Sequence, residues 1–246
     1  MICEHIILEN GHGAELTVYL QSVGGEFRNI DKRPLILILP GGGYRMCSDR
    51  EADPIAFPYL AAGYQAAVLR YTVGEKEMWP YPLEDYEAAM EYLVEKEEEW
   101  AIDTERIAVI GFSAGGHLAG CAATIAAHKP KAVIMGYPVL TEEWLRKRGH
   151  VLAPDVVQRV DERTCPCFLF ATRDDPTVSI RNTIQFAAAL ECCQIPFECH
   201  IYSFGPHGVS TGDPSVLMPR GIACTRVPDW VNDSIEWLRE MMKVWE

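Results

Sequence analysis

Apolar residues along the chain gather in short runs, and the stretches between them carry helical spacing. PLILIL (34–39), YQAAVLRY (64–71), RIAVI (106–110), KAVIMG (131–136), CFLFAT (167–172) and FECHIY (197–202) are rich in β-forming residues. Most of them are apolar at successive rather than alternate positions, the mark of strands buried on both faces in a parallel sheet. Two polar-flanked strands are predicted ahead of these, near Ile6–Leu8 and Leu16–Leu20. Leu83, Tyr86, Met90, Leu93 and Val94 recur at helical spacing with Glu84, Glu87, Glu91 and Glu95 opposite, and further helices are predicted at 113–127, 179–193 and 229–243. Strand and helix in alternation predict an α/β architecture, a mostly parallel central sheet with helices on both faces. No repeat or linker breaks the pattern, so residues 1–246 read as one domain. The irregular stretch 140–166, with Trp144, Pro154 and Arg163, is the candidate for a small lid, if there is one.

Composition narrows the function. Against 35 acidic residues stand 22 Lys and Arg, a net charge of −13, and the longest basic run is WLRKR at 144–148. Nucleic-acid binding needs a basic face, so no nucleic-acid partner is expected. The longest of the strongly apolar runs, Leu35–Leu39, falls far short of a bilayer span, and no membrane partner is expected. MICEHIILENGHG carries no visible secretory signal, which makes the cytoplasm the expected compartment. Nine cysteines in irregular spacing suit neither a disulfide framework nor a zinc site, and predict free, mostly buried thiols. The oligomeric state stays open, a homo-oligomer included.

The strand RIAVI runs straight into Gly111-Phe112-Ser113-Ala114-Gly115-Gly116, with a helix opening behind it. A G-x-S-x-G turn between strand and helix lifts its serine off the strand end, and the glycines are there because side chains flanking so tight a turn would clash. A second cluster, Pro40-Gly41-Gly42-Gly43-Tyr44, follows the strand at 35–39. An oxyanion needs amides that are already aimed, and those of Gly42 or Gly43 together with Ala114 are the candidates. A serine also needs a histidine to take its proton and an acid to hold that histidine. His5 and His12 belong to the N-terminal strands, His117 and His128 lie on or just after the helix behind Ser113, His150 lies in the irregular stretch and His200 in a strand. His207, in Gly205-Pro206-His207-Gly208, lies on a loop beyond the last strand. Asp174 and Asp175 both follow the strand CFLFAT, and composition does not choose between them, since either could also cap a turn. Pro176 restricts Asp175 to extended conformations. Ser48-Asp49-Arg50-Glu51 fits a helix capping box, with substrate contact by Arg50 as the competing role.

GFSAGGHLAG, PGGGY followed by SDREA, LRYTVG, DDPTVSIRNT and GPHG, in that order, resemble the small α/β-hydrolases that include acetyl-xylan-esterase-like carbohydrate esterases. The similarity runs from about residue 34 to the last helix. It implies the α/β-hydrolase fold, the triad Ser113, Asp175 and His207, and hydrolysis of short acyl esters, chiefly acetyl groups on a sugar or other small alcohol. It implies neither metal nor organic cofactor. Tyr44 and Arg50 are the substrate-contact candidates. Three features depart from the broader pattern: PGGG stands where many esterases have HGGG, the segment after His207, 209–228, is long, and Cys167 takes a position where relatives often have an apolar or hydroxyl residue. A peptidase of the prolyl-oligopeptidase type shares the topology but carries a propeller domain that this length does not hold. A non-catalytic binding module is the other alternative.

Overall fold

The computed structural model describes residues 1–27, 29–74, 78–216 and 223–245. Along β3 (Arg33–Leu39) every residue is buried, and its side chains divide by alternation: Leu35, Leu37 and Leu39 enter one apolar layer, Ile36 and Ile38 the other. Around it lie β1 (Ile2–Ile7), β2 (Glu15–Leu20), β4 (Gln65–Arg70), β5 (Ile102–Phe112), β6 (Ala132–Gly136), β7 (Cys167–Thr172) and β8 (Phe197–Tyr202). They form one sheet in the order β1-β2-β4-β3-β5-β6-β7-β8. β1 and β2 are antiparallel to their neighbours, and the six strands from β4 to β8 are parallel. Helices α2 (Tyr81–Glu95), α3 (Ala114–Thr124) and α5 (Arg181–Cys192) cover one face through Tyr86, Leu118 and Phe186. On the other, α1 (Asp53–Ala61) and α6 (Asp229–Met242) seat Tyr59 and Trp230 against Ile38 and Ile110. A short helix, α4 (Glu142–Lys147), lies within the irregular stretch.

The structure departs from the sequence pattern at several points. β1 begins at Ile2 rather than Ile6, and His12 falls in the turn after it. α1 escapes the periodicity because DPIAFPYLA is apolar nearly all round and carries Pro58 inside the helix. Burial of Ile55, Ala56, Tyr59 and Leu60 against the sheet outweighs the hydrogen bond that Pro58 forfeits. The nine cysteines are free, but four are buried, three partly so, and Cys3 and Cys192 are exposed. Within the long segment after His207, residues 217–222 lie outside the described residues. No helix among the described residues is long and apolar enough to cross a membrane.

Because β3, β5, β6, β7 and β8 run parallel, their carboxyl ends open on one edge of the sheet. The loops after them meet there, as ligand-binding loops do in open α/β sheets.

Candidate active site

Ser113 stands at the end of β5, at φ 52° and ψ −112°, a backbone conformation that costs about 1–3 kcal/mol and is held by its surroundings. Its amide donates to Gly136 O on β6, and its carbonyl accepts from His117 and Val139. The glycines around it have no room for a side chain. A Cβ at Gly111 would sit 2.1 Å from Gly115 O, and one at Gly115 would sit 2.1 Å from Leu39 O.

Ser113 Oγ lies 2.8 Å from His207 Nε2, and His207 Nδ1 lies 2.6 Å from Asp175 Oδ2. An ionised carboxylate only accepts, so Nδ1 carries the proton and Nε2 is the acceptor for the Ser113 hydroxyl. The Asp175 side chain is 1% exposed. Its second oxygen accepts the amides of Thr177 and Val178, so the capping role and the histidine contact, alternatives in the sequence, coexist on separate oxygens. Asp174 instead accepts the amide of Gly205, at the base of the loop that carries His207. The other six histidines point elsewhere. His117, for one, is fully buried between the Tyr44 hydroxyl and Pro154 O.

The oxyanion candidates lie on the same ground. Gly42 and Gly43 line a cavity of about 380 Å³ together with Ser113 and His207. Gly42 has φ +141°, and a Cβ there would fall 2.0 Å from Met46 O, so the loop tolerates only glycine. Among the described residues, no hydrogen bond occupies the amides of Gly42 or Gly43. Ala114 is the first residue of α3, where a helix leaves its amides unpaired and its dipole positive.

Two readings of the sequence need correcting. Ser48 and Glu51 form no capping box. Ser48 makes no side-chain cap, and its amide donates to Gly41 O rather than to Glu51. Glu51 is instead 3% exposed beneath the glycine loop, accepting the Gly41 amide at 2.9 Å and the Tyr137 hydroxyl at 2.6 Å. Burial pushes its carboxyl up from the ordinary value, and the two donors only partly offset this. Tyr44 is no substrate contact, being 2% exposed with its hydroxyl 2.7 Å from His117 Nδ1; it supports the loop from behind. Arg50 does line the cavity, and its guanidinium donates to Gly208 O beside His207.

Several residues that the motifs did not single out also build the site. Tyr137, after β6 at φ +37°, links Glu51 to the amide of Ser210, and its ring lies 5.0 Å from that of His207. The Ser210 hydroxyl donates to Arg50 O and Trp230 Nε1 donates to Ser210 O, so the histidine loop is tied to both its neighbours. From the irregular stretch, Trp144 and Arg148 enter the cavity wall. Only the strand end before Tyr137 and the aromatic-basic character of WLRKR could have signalled them.

The chain as a whole is similar to known proteins. Residues 26–144 match the family model described as BD-FAE. A solved α/β hydrolase enzyme, MGS-M1, from a Medee basin deep-sea metagenome library, is 40% identical with a TM-score of 0.90, covering 99% of each chain. The endo-1,4-beta-xylanase B of Butyrivibrio fibrisolvens is 28% identical, over 85% of this chain and 38% of that protein. The acetylxylan esterase of Xylanibacter ruminicola is 26% identical, over 72% of this chain and 41% of that protein. The chain thus spans about two fifths of the length of these two curated relatives.

Proposed function

The chain belongs to the α/β-hydrolase superfamily, in its esterase-like branch, and on that premise we propose that it is a serine esterase acting on short acyl esters, chiefly acetyl esters of sugars or small alcohols. The observation that carries this reading is the continuous hydrogen-bonded chain from Ser113 through His207 to Asp175, opening on a cavity rimmed by free glycine amides. Ser113 Oγ attacks the ester carbonyl while His207 Nε2 takes its proton, and Asp175 holds the ring and balances the imidazolium. The amides of Gly42 or Gly43 and of Ala114 receive the oxyanion. His207 returns the proton to the leaving alcohol as the C–O bond breaks. Water, deprotonated by the same nitrogen, then releases the acid and frees Ser113.

The acetyl preference draws support from the acetylxylan esterase among the relatives. A series of p-nitrophenyl esters tests it. Acetyl and propionyl esters are expected to give the highest kcat/KM, and faster turnover of the octanoyl ester below its aggregation limit would overturn the short-chain assignment.

A further inference from the structure

Three arginines, Arg45, Arg50 and Arg148, are among the residues that line the cavity over Ser113. In a chain of net charge −13 such a concentration needs a reason. Some of the cations elsewhere on this surface stand beside carboxylates, as Lys32 and Arg70 do. On α4 itself, Arg146 pairs with Glu142 and Lys147 with Glu143. Arg148, the next residue, lines the cavity, and its guanidinium rests over the Trp144 ring at 5.1 Å. The Trp144 indole is held in turn by its Nε1, which donates to Thr177 O at 3.0 Å, so the cation sits on an anchored plate. Arg45 follows the glycine loop directly in sequence, its amide donating to Gly42 O. Arg50 donates one bond, to Gly208 O. None of the three is ion-paired among the described residues. Glu51 is the acidic residue among those that line the cavity; Arg50 stands near enough to act on its carboxyl, while Arg45 and Arg148 have no carboxylate beside them among the described residues.

Unpaired cations grouped in a concave wall attract an anion, and guanidinium forks match a carboxylate in particular. Resting on the esterase reading above, we propose that the natural substrate is an ester that also carries a carboxylate, received by Arg45, Arg50 and Arg148 while Ser113 attacks the ester carbonyl. The carboxylate can belong to the alcohol, as in an acetylated uronic acid, or to the acyl group, as in a half-ester of a dicarboxylic acid. The neutral walls of Gly42, Gly43 and Met46 leave the scissile group itself free of charge recognition.

Two matched pairs of substrates test this, after turnover of p-nitrophenyl acetate has established the esterase. The first compares an O-acetylated methyl glucuronoside with its uronamide, the second p-nitrophenyl hemisuccinate with p-nitrophenyl butyrate. In one pair the anionic member is expected to have a kcat/KM higher by roughly tenfold at low ionic strength, and the pair that shows it identifies which side bears the charge. Screening shortens the reach of these charges to about 3 Å at 1 M salt, so the preference should largely close there. Arg45→Gln and Arg148→Gln should each lower the anionic-to-neutral ratio several-fold, and Arg148→Glu should lower it further. Ratios at or below one in both pairs, with p-nitrophenyl acetate still hydrolysed, would overturn the anionic substrate and leave the esterase standing. No turnover of p-nitrophenyl acetate would remove the esterase reading and this inference with it.

Discussion

Asp175 Oδ2 accepts the His207 Nδ1 proton at 2.6 Å, while Oδ1 of the same carboxylate takes the amides of Thr177 and Val178. The turn therefore aims the carboxylate and the carboxylate aims the ring. Among the described residues, its neighbour Asp174 reaches only the Gly205 amide and, at 3.5 Å, Arg173.

The two aspartates should consequently separate by mutation. Asp175→Asn presents the wrong tautomer to Ser113 and is expected to cost roughly 10⁴ in kcat. Asp174→Asn keeps an acceptor for Gly205 and is expected to cost less than about tenfold. The comparison is made on proteins matched in thermal stability, and the reverse ranking would move the acid to Asp174.

The glycine loop should be equally intolerant. A Cβ at Gly42 has no position that avoids Met46 O, so Gly42→Ala must displace the loop and its amides. Loss of an oxyanion donor lowers kcat by roughly 10²–10³. KM for p-nitrophenyl acetate should move far less, and a variant with wild-type kcat would show that these amides are not used.

Glu51 gives the fold a pH dependence of definite sign. Its carboxyl is pushed up by burial, so the folded state binds its proton more tightly than the unfolded chain does. The stability this confers is complete below the ordinary carboxyl value, about 4.3, and is lost as the pH rises through the higher folded-state value. In urea unfolding from pH 4 to 8, the stability of the wild type relative to Glu51→Gln should therefore fall with rising pH. A constant difference would mean that the Gly41 amide and the Tyr137 hydroxyl fully compensate the burial. Glu51→Ala leaves both donors buried and unpaired, at about 1–3 kcal/mol each.

Much of this was legible in the residues, for identifiable reasons. The parallel strands announce themselves because both their faces are buried, and Ser113 because the strand, the turn and the flanking glycines are contiguous in sequence. His207 stood out by its loop position beyond the last strand. What was hidden depends on contacts distant along the chain. Glu51 lies 86 residues from Tyr137, and a local motif suggested a cap in place of that contact. Tyr44, next to the glycine loop, read as a substrate contact because nothing local reveals His117, 73 residues away. Trp144 and Arg148 join the cavity only because α4 folds back over the sheet edge.

The role of Ser113 as nucleophile is tested most directly by locating the covalent adduct it should form. A fluorophosphonate is expected to modify the wild type at one site, mapped by peptide mass spectrometry to Ser113, with activity lost in proportion to labelling. Ser113→Ala should fold normally, remain unlabelled and lose several powers of ten in kcat. Labelling at a different serine, or ester hydrolysis at the wild-type rate in Ser113→Ala, would contradict the account.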